Sequence, residues 1–267
     1  MGKASRGKKK LRVSTYVAQD RRIIFGNSDS PVIDIAPMAP AAPTRPFNFE
    51  IKRGTQKRHI KKVYRFLNEE SYADAFANGE LRISTIETCR KYEDPLQGDA
   101  HEGTVLYRSR DYSKADWDMP GFREDALRSG IHIGPGVDGI TMYGNTSQNS
   151  IQDALVLCTT VNFRPEDLST FGKYCVEIHD IDEFFSVLTS ALYQRYPIHK
   201  FYAGLVQYRN REFVGEAPPV HIGFIKPRHP YEPQQEFRML WTVRTRKPLT
   251  AGNIVVPELS QFCRRIA

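Results

Sequence analysis

Beyond residue 62, the order of apolar and polar positions predicts most of the elements. Val63-Tyr64-Arg65-Phe66-Leu67 alternates as a half-buried strand does. Glu69 to Ala77 has the spacing of a short helix, ended by Gly79. Leu81-Arg82-Ile83-Ser84 returns to a period of two. Ser84 and Glu87 stand at capping-box spacing, so a second short helix is expected from Thr85. Thr104–Tyr107, Ala154–Cys158 and Tyr174–Ile178 read as strands. Asp180 and Glu183 form another capping pair before an amphipathic helix from Ile181 to about Gln194. Phe201–Tyr208, Val220–Ile225 and Glu236–Val243 read as further strands. Ile254-Val255-Val256 reads as an edge strand, and residues 257–265 as a small terminal helix. Residues 111–151 are rich in Gly, Asp, Asn and Ser around a short helix at 122–128, and long irregular regions of this kind often carry function. A strand–helix–strand start followed by mostly strands and one longer helix predicts an α+β fold. Its sheet is expected to be mixed and largely antiparallel.

The first 62 residues look different. Pro31, Pro37, Pro40, Pro43 and Pro46 are interleaved with alanines, as in an extended linker. Charge sharpens the division. Residues 1–63 hold 15 Lys or Arg against 4 Asp or Glu, and the remainder hold 23 against 27. The net charge of +7 therefore belongs to a basic arm, and the expected 63–267 domain is mildly acidic. An arm carrying Lys8, Lys9, Lys10 and Arg12 attracts polyanions such as nucleic acid by counterion release, without reading bases. A solubilising tail is the plainer reading. No run of 18 apolar residues occurs and no apolar stretch follows the basic start, so a soluble cytoplasmic protein without a membrane span is expected.

Several chemistries lack their motifs. There is no Gly-x-Gly-x-x-Gly, no phosphate-binding Gly-x-x-x-x-Gly-Lys string and no His-Glu-x-x-His. Cys89, Cys158, Cys175 and Cys263 form no Cys-x-x-Cys pair, so a zinc ribbon is not expected. Reduced, buried thiols are the expectation for Cys158 and Cys175. The seven histidines are scattered without metal-ligand spacing.

Two segments concentrate polar chemistry. The first gathers Glu93, Asp94, Asp99, His101 and Glu102. It suits either a divalent-metal or acid–base cluster, or a polar turn whose carboxylates pair with Arg90, Arg65 or Arg82. The second is Tyr231 to Trp241, where Gln234 and Glu236 stand two apart as a loop becomes a strand. On an extended chain both would face one side. Glu236 is then either a catalytic anion or an edge-strand glutamate paired across the sheet with a lysine or arginine.

Three elements in this order resemble the Arg–Ser–Glu pattern of the ADP-ribosyltransferase superfamily. They are Tyr64-Arg65-Phe66, Ile83-Ser84-Thr85 and Gln234-Gln235-Glu236. The plan is also similar to uncharacterised bacterial proteins that begin with Tyr-Arg-Phe and end in a Glu-Phe-Arg strand. The resemblance implies an NAD-dependent transferase. Arg65 would bind a phosphate of NAD through two charge-assisted bonds. Ser84 and Thr85 would support the strand facing the nicotinamide ribose. Glu236 would hold the ribose hydroxyl and stabilise the oxocarbenium-like charge as nicotinamide leaves. Gln234 would orient the acceptor. An aromatic commonly stacks on nicotinamide in that superfamily, with Tyr107 and Phe201 as candidates here. The fuller Ser-Thr-Ser form is missing, and Ser84 serves equally well as a helix cap.

Three functions compete on this reading. The first is an ADP-ribosyltransferase acting on a macromolecule, as a toxin, effector or phage-conflict protein. The second is a non-catalytic nucleic-acid-associated or virion-type protein that binds through its arm. The third is a metal-dependent nuclease using Glu93, Asp99 and Glu102.

Overall fold

The computed structural model describes residues 51–53, 56–58, 60–94, 98–164 and 171–266. A short antiparallel pair, β1 (Ile51–Arg53) with β2 (Gln56–Arg58), comes first. The principal sheet is built around β7 (Ala154–Thr160). Along one edge of β7 lies β13 (Glu236–Val243), antiparallel from Glu236↔Thr160 to Thr242↔Ala154. β13 in turn pairs with β9 (Ile198–Leu205).

The other edge of β7 is shared by two strands. β4 (Glu80–Thr85) pairs at Ser84↔Val156 and Thr85↔Leu155, and β3 (Val63–Leu67) pairs at Tyr64↔Thr160. β14 (Gly252–Val255) continues the sheet beyond β4. β8 (Tyr174–Ile178) and then β15 (Cys263–Arg265) continue it beyond β3. The sheet therefore forks at β7. β3 and β4 both run antiparallel to β7, hence parallel to each other, and parallel neighbours need a crossover. That crossover is α1 (Glu70–Ala77), which ends where Gly79 takes φ +84°.

α1 and α4 (Ile181–Tyr193) cover one face of the sheet. Phe76, Phe184, Phe185 and Leu188 pack there against Leu155, Leu157, Phe237, Met239 and Trp241. Burying each large side chain contributes roughly 1.5–3 kcal/mol. The Asp180 carboxylate accepts from the Glu183 amide and so starts α4, as the sequence spacing predicts. Inside the core the Trp241 indole N–H donates to Thr189 Oγ1 at 2.9 Å, which satisfies the ring's one polar atom.

The alternate residues of β7 and β13 point to the opposite face. Val156 and Leu240 pack there with Ala154, Phe224 and Ile86 of α2 (Ile86–Lys91). Two smaller sheets lie beyond. One has the order β11 (Glu212–Val214), β5 (Thr104–Arg108), β6 (Thr146–Ser150). The other pairs β10 (Gln207–Tyr208) with β12 (Ile225–Lys226) in parallel. α3 (Pro120–Arg128) closes a separate cluster of Tyr112, Phe122, Ala126 and Met142.

The result is an α+β fold on a largely antiparallel sheet. The expected strand at Val220–Ile225 is replaced by a 3-10 turn, Ile222–Phe224, ahead of the two-residue β12. Pro218 and Pro219 remove backbone donors just before it, and His221 Nδ1 accepts the Gly223 amide at 3.2 Å. The expected terminal helix is a 3-10 turn, Pro257–Phe262, followed by β15. β6 and β11 lie in stretches whose polar composition hid them.

Candidate active site

Because β3 and β4 diverge along β7, the Leu157–Thr159 stretch has no strand pairing on that edge among the described residues. A cleft opens at the fork. Arg65, Ser84, Gln234 and Glu236 all line it. They arrive on three separated segments, β3, β4 and the entry to β13.

Each is placed by a local cause. Arg65 Nη1 donates to the Cys158 carbonyl at 2.6 Å, supplying a partner to backbone that the fork leaves open. Ser84 is not the cap of α2. Thr85 is, its Oγ1 accepting the Thr88 amide at 3.0 Å. Capping one residue later than expected buries Thr85 away from the cleft and leaves Ser84 facing it, with Oγ 3.9 Å from Cys89 Sγ. Gln234 and Glu236 share the cleft for a different reason than extended alternation. Gln234 ends a 3-10 turn and Gln235 takes a left-handed φ of +39°. Such a backbone costs a non-glycine residue about 1–2 kcal/mol. Thr160 Oγ1 donates to the Gln234 carbonyl at 2.6 Å, and Asn162 Nδ2 to that of Pro233 at 3.2 Å, so the end of β7 holds the turn.

The two aromatic candidates are not in the cleft. Tyr107 packs with Val105, Phe213 and Ile225 in the smaller layer. Phe201 lies in the helix-side core, edge-on to Phe185 at 6.0 Å. The aromatic rings that do line the cleft are Tyr64, Phe66, Tyr92 and Phe171.

The floor is a square of buried charge. Arg238 Nε donates to Glu236 Oε1 at 2.7 Å, and its Nη1 donates to Glu102 Oε1 at 2.7 Å and to the Gly223 carbonyl. Lys226 Nζ stands 2.9 Å from Glu236 Oε2 and 3.5 Å from Glu102 Oε2, with the Tyr231 ring 4.9 Å away. Two cations and two anions cancel. Burial acts to raise the Glu236 carboxyl, but the charges of Arg238 and Lys226 and the Arg238 hydrogen bond outweigh it and hold it far below the usual range. Burial likewise opposes the charge on Lys226, and Glu236 and Glu102 more than restore it. Glu236 is therefore a fixed anion rather than a proton-exchanging group. The expected pairing with a lysine and an arginine is present, but β13 lies between β7 and β9 rather than at an edge. The Glu236 amide donates to Tyr208 Oη at 2.7 Å.

Asp99 and Glu102 lie in a turn over residues 98–103 and form their ion pairs with residues other than Arg90, Arg65 and Arg82. Asp99 receives both terminal nitrogens of Arg211, one of them at 3.0 Å, and the His101 amide. Glu102 pairs with Arg238 and Lys226, while Arg90 Nε donates to the Glu102 carbonyl at 2.9 Å. Among the described residues no group of three or more His, Cys, Asp or Glu is arranged to hold a metal ion.

Sequence reasoning missed the other half of this floor. Lys226 sits in a two-residue strand, too short for any periodic signal. Arg238 had one available sign, a charge inside the apolar run Phe237-Arg238-Met239-Leu240-Trp241. Cys89 and Cys158 also line the cleft, so Cys158 is not simply a core thiol. The hydrogen bond with Cys158 holds the Cys89 thiol below its ordinary value, helped by Arg238, although burial opposes it. The same contact, burial and the Glu236 charge push Cys158 well up. The arm residues Lys8, Lys9, Lys10 and Arg12 lie outside the described residues. No family model, no curated protein and no solved structure matches this chain.

Proposed function

We propose that the protein is an NAD-dependent ADP-ribosyltransferase that modifies a macromolecular target, with the fork in the sheet as its NAD cleft. One observation carries the reading: Arg65, Ser84 and Glu236, drawn from distant parts of the chain, line a single cleft. NAD would lie along the fork with a phosphate against Arg65, whose guanidinium keeps donors beyond the one given to Cys158. Ser84 would face the nicotinamide ribose. The Glu236 carboxylate, kept ionised by Arg238 and Lys226, would accept the ribose hydroxyl and stabilise positive charge at the anomeric carbon. As the glycosidic bond breaks, its electron pair leaves with nicotinamide. The acceptor, oriented by Gln234, then forms the new bond to that carbon and releases its proton to solvent.

Tyr107 has no part in this scheme, and Tyr64, Phe66, Tyr92 or Phe171 takes over the stacking role expected of an aromatic. The basic arm would bring the enzyme to a nucleic-acid or nucleoprotein target in the cytoplasm. No helix among the described residues is long and apolar enough to cross a membrane. The nuclease reading finds no ligand set among the described residues, where no group of three or more His, Cys, Asp or Glu is arranged to hold a metal ion.

The test is nicotinamide release from labelled NAD by the full chain, alone and with cell lysate. Glu236→Gln keeps the volume and the contact to Arg238 while removing the negative charge. Arg65→Gln and Ser84→Ala accompany it, each shown to be folded by circular dichroism. Loss of one preorganised stabilising group costs about 10²–10³ in rate. Turnover by Glu236→Gln equal to the parent discards the proposal.

A further inference from the structure

The cleft holds two arginines outside its cancelled floor. Arg65 sits on β3 and Arg82 on β4, the two strands that diverge at the fork, and both line the cleft. Arg82 and Ser84 are two apart on β4 and share its cleft side, while Leu81, Ile83 and Thr85 are buried. Glu102, Glu236, Lys226 and Arg238 neutralise one another, so these two guanidiniums leave the cleft with an excess of two positive charges. Neither forms an ion pair among the described residues. Arg65 is tethered to the Cys158 carbonyl, while Arg82 is exposed on the opposite lip.

We propose that Arg65 and Arg82 clamp the diphosphate of an ADP-containing ligand from the two sides of the split sheet, one guanidinium to each phosphate. This rests on the NAD reading and extends it to Arg82, a residue outside the Arg–Ser–Glu pattern. The chemistry is specific. A diphosphate bridge carries two negative charges, matching the uncompensated pair, and a planar guanidinium offers each phosphate two parallel donors. A nucleoside without phosphates gains nothing from the clamp.

The experiment is calorimetric titration of the full chain with ADP-ribose, adenosine and inorganic pyrophosphate. The variants are Arg82→Gln, Arg82→Lys and, as a control for simple charge loss, Arg246→Gln in the exposed turn after β13. Arg82→Gln is expected to weaken ADP-ribose by about tenfold, the scale of one charge-assisted contact. Arg82→Lys recovers part of this, and Arg246→Gln matches the parent. Adenosine affinity is expected to be the same in all. If Arg82→Gln binds ADP-ribose as the parent does, the clamp is overturned while the NAD reading stands. If the parent binds pyrophosphate in an Arg82-dependent way but not ADP-ribose, the clamp survives and the NAD reading falls. If the parent binds neither, both fall.

Discussion

Replacing Arg238 with methionine removes the central cation of the buried square and keeps most of its volume. The side chain is 1% exposed and donates to Glu236, Glu102 and the Gly223 carbonyl. Without it, two buried carboxylates share Lys226, and the neutral square becomes a site of net charge −1. Removing one partner of a buried, hydrogen-bonded pair costs about 3–5 kcal/mol. With a urea dependence of about 2–3 kcal/mol/M for a domain of this size, the unfolding midpoint should fall by about 1.5 M. The assay is urea unfolding followed by Trp fluorescence, which reports on the core through Trp241. Adding Glu102→Gln to Arg238→Met restores neutrality. The double variant should therefore be more stable than Arg238→Met alone by about 1 kcal/mol, a coupling that only direct partners show. A midpoint for Arg238→Met within about 0.3 M of the parent would refute the account, because at that slope the square would contribute under 1 kcal/mol.

Acid should destabilise the protein from about pH 4.5 downward. Glu236 has a depressed carboxyl and an ordinary value of 4.5. Asp125 has an ordinary value of 3.8 and is held at about 2, where hydrogen bonds from Arg110 and Tyr112 outweigh the opposing effect of burial. A folded pKa below the unfolded one gives stability that is complete above the unfolded value and lost as pH falls through the folded one. Urea midpoints at pH 7, 5, 4 and 3 check this, and a gain on acidification would contradict it. Gly79→Ala should cost about 1–3 kcal/mol, because φ is +84° and the new Cβ would collide with the Val256 carbonyl; thermal unfolding measures it. In native protein at pH 7.5, iodoacetamide should alkylate Cys89 before Cys175 and Cys263, since burial pushes both of those thiols up to about 12. Peptide mass spectrometry gives the order, and first labelling at Cys175 would oppose it.

The strands and α4 were legible because their periodicity is their burial. Phe237, Met239 and Trp241 alternate in sequence and pack on the helices in space. The same rule does not find Arg238. A polar residue on the alternate face of a strand normally meets water, but here a second layer covers that face and buries the charge. Its partner Glu102 lies 136 residues away, Lys226 reaches Glu102 and Glu236 from a separate two-residue strand, and no local pattern encodes such pairings. Arg65, Ser84, Gln234 and Glu236 were readable as individual residues. That they meet depends on the fork at β7, which follows from strand order. Tyr107 was assigned by residue type alone, and its strand, β5, belongs to another sheet. The choice of Thr85 over Ser84 as the cap of α2 turns on a single residue of register, a shift that sequence spacing cannot resolve.

The central claim is that NAD occupies the fork. Cys89 lines that cleft beside Ser84, whereas Cys175 and Cys263 do not, so the protein carries an internal reporter and two internal controls. The rate of iodoacetamide alkylation at each cysteine, measured by peptide mass spectrometry against rising NAD, reads occupancy without any mutation. The account predicts saturable slowing at Cys89 with unchanged rates at Cys175 and Cys263. An unchanged Cys89 rate at millimolar NAD would contradict it.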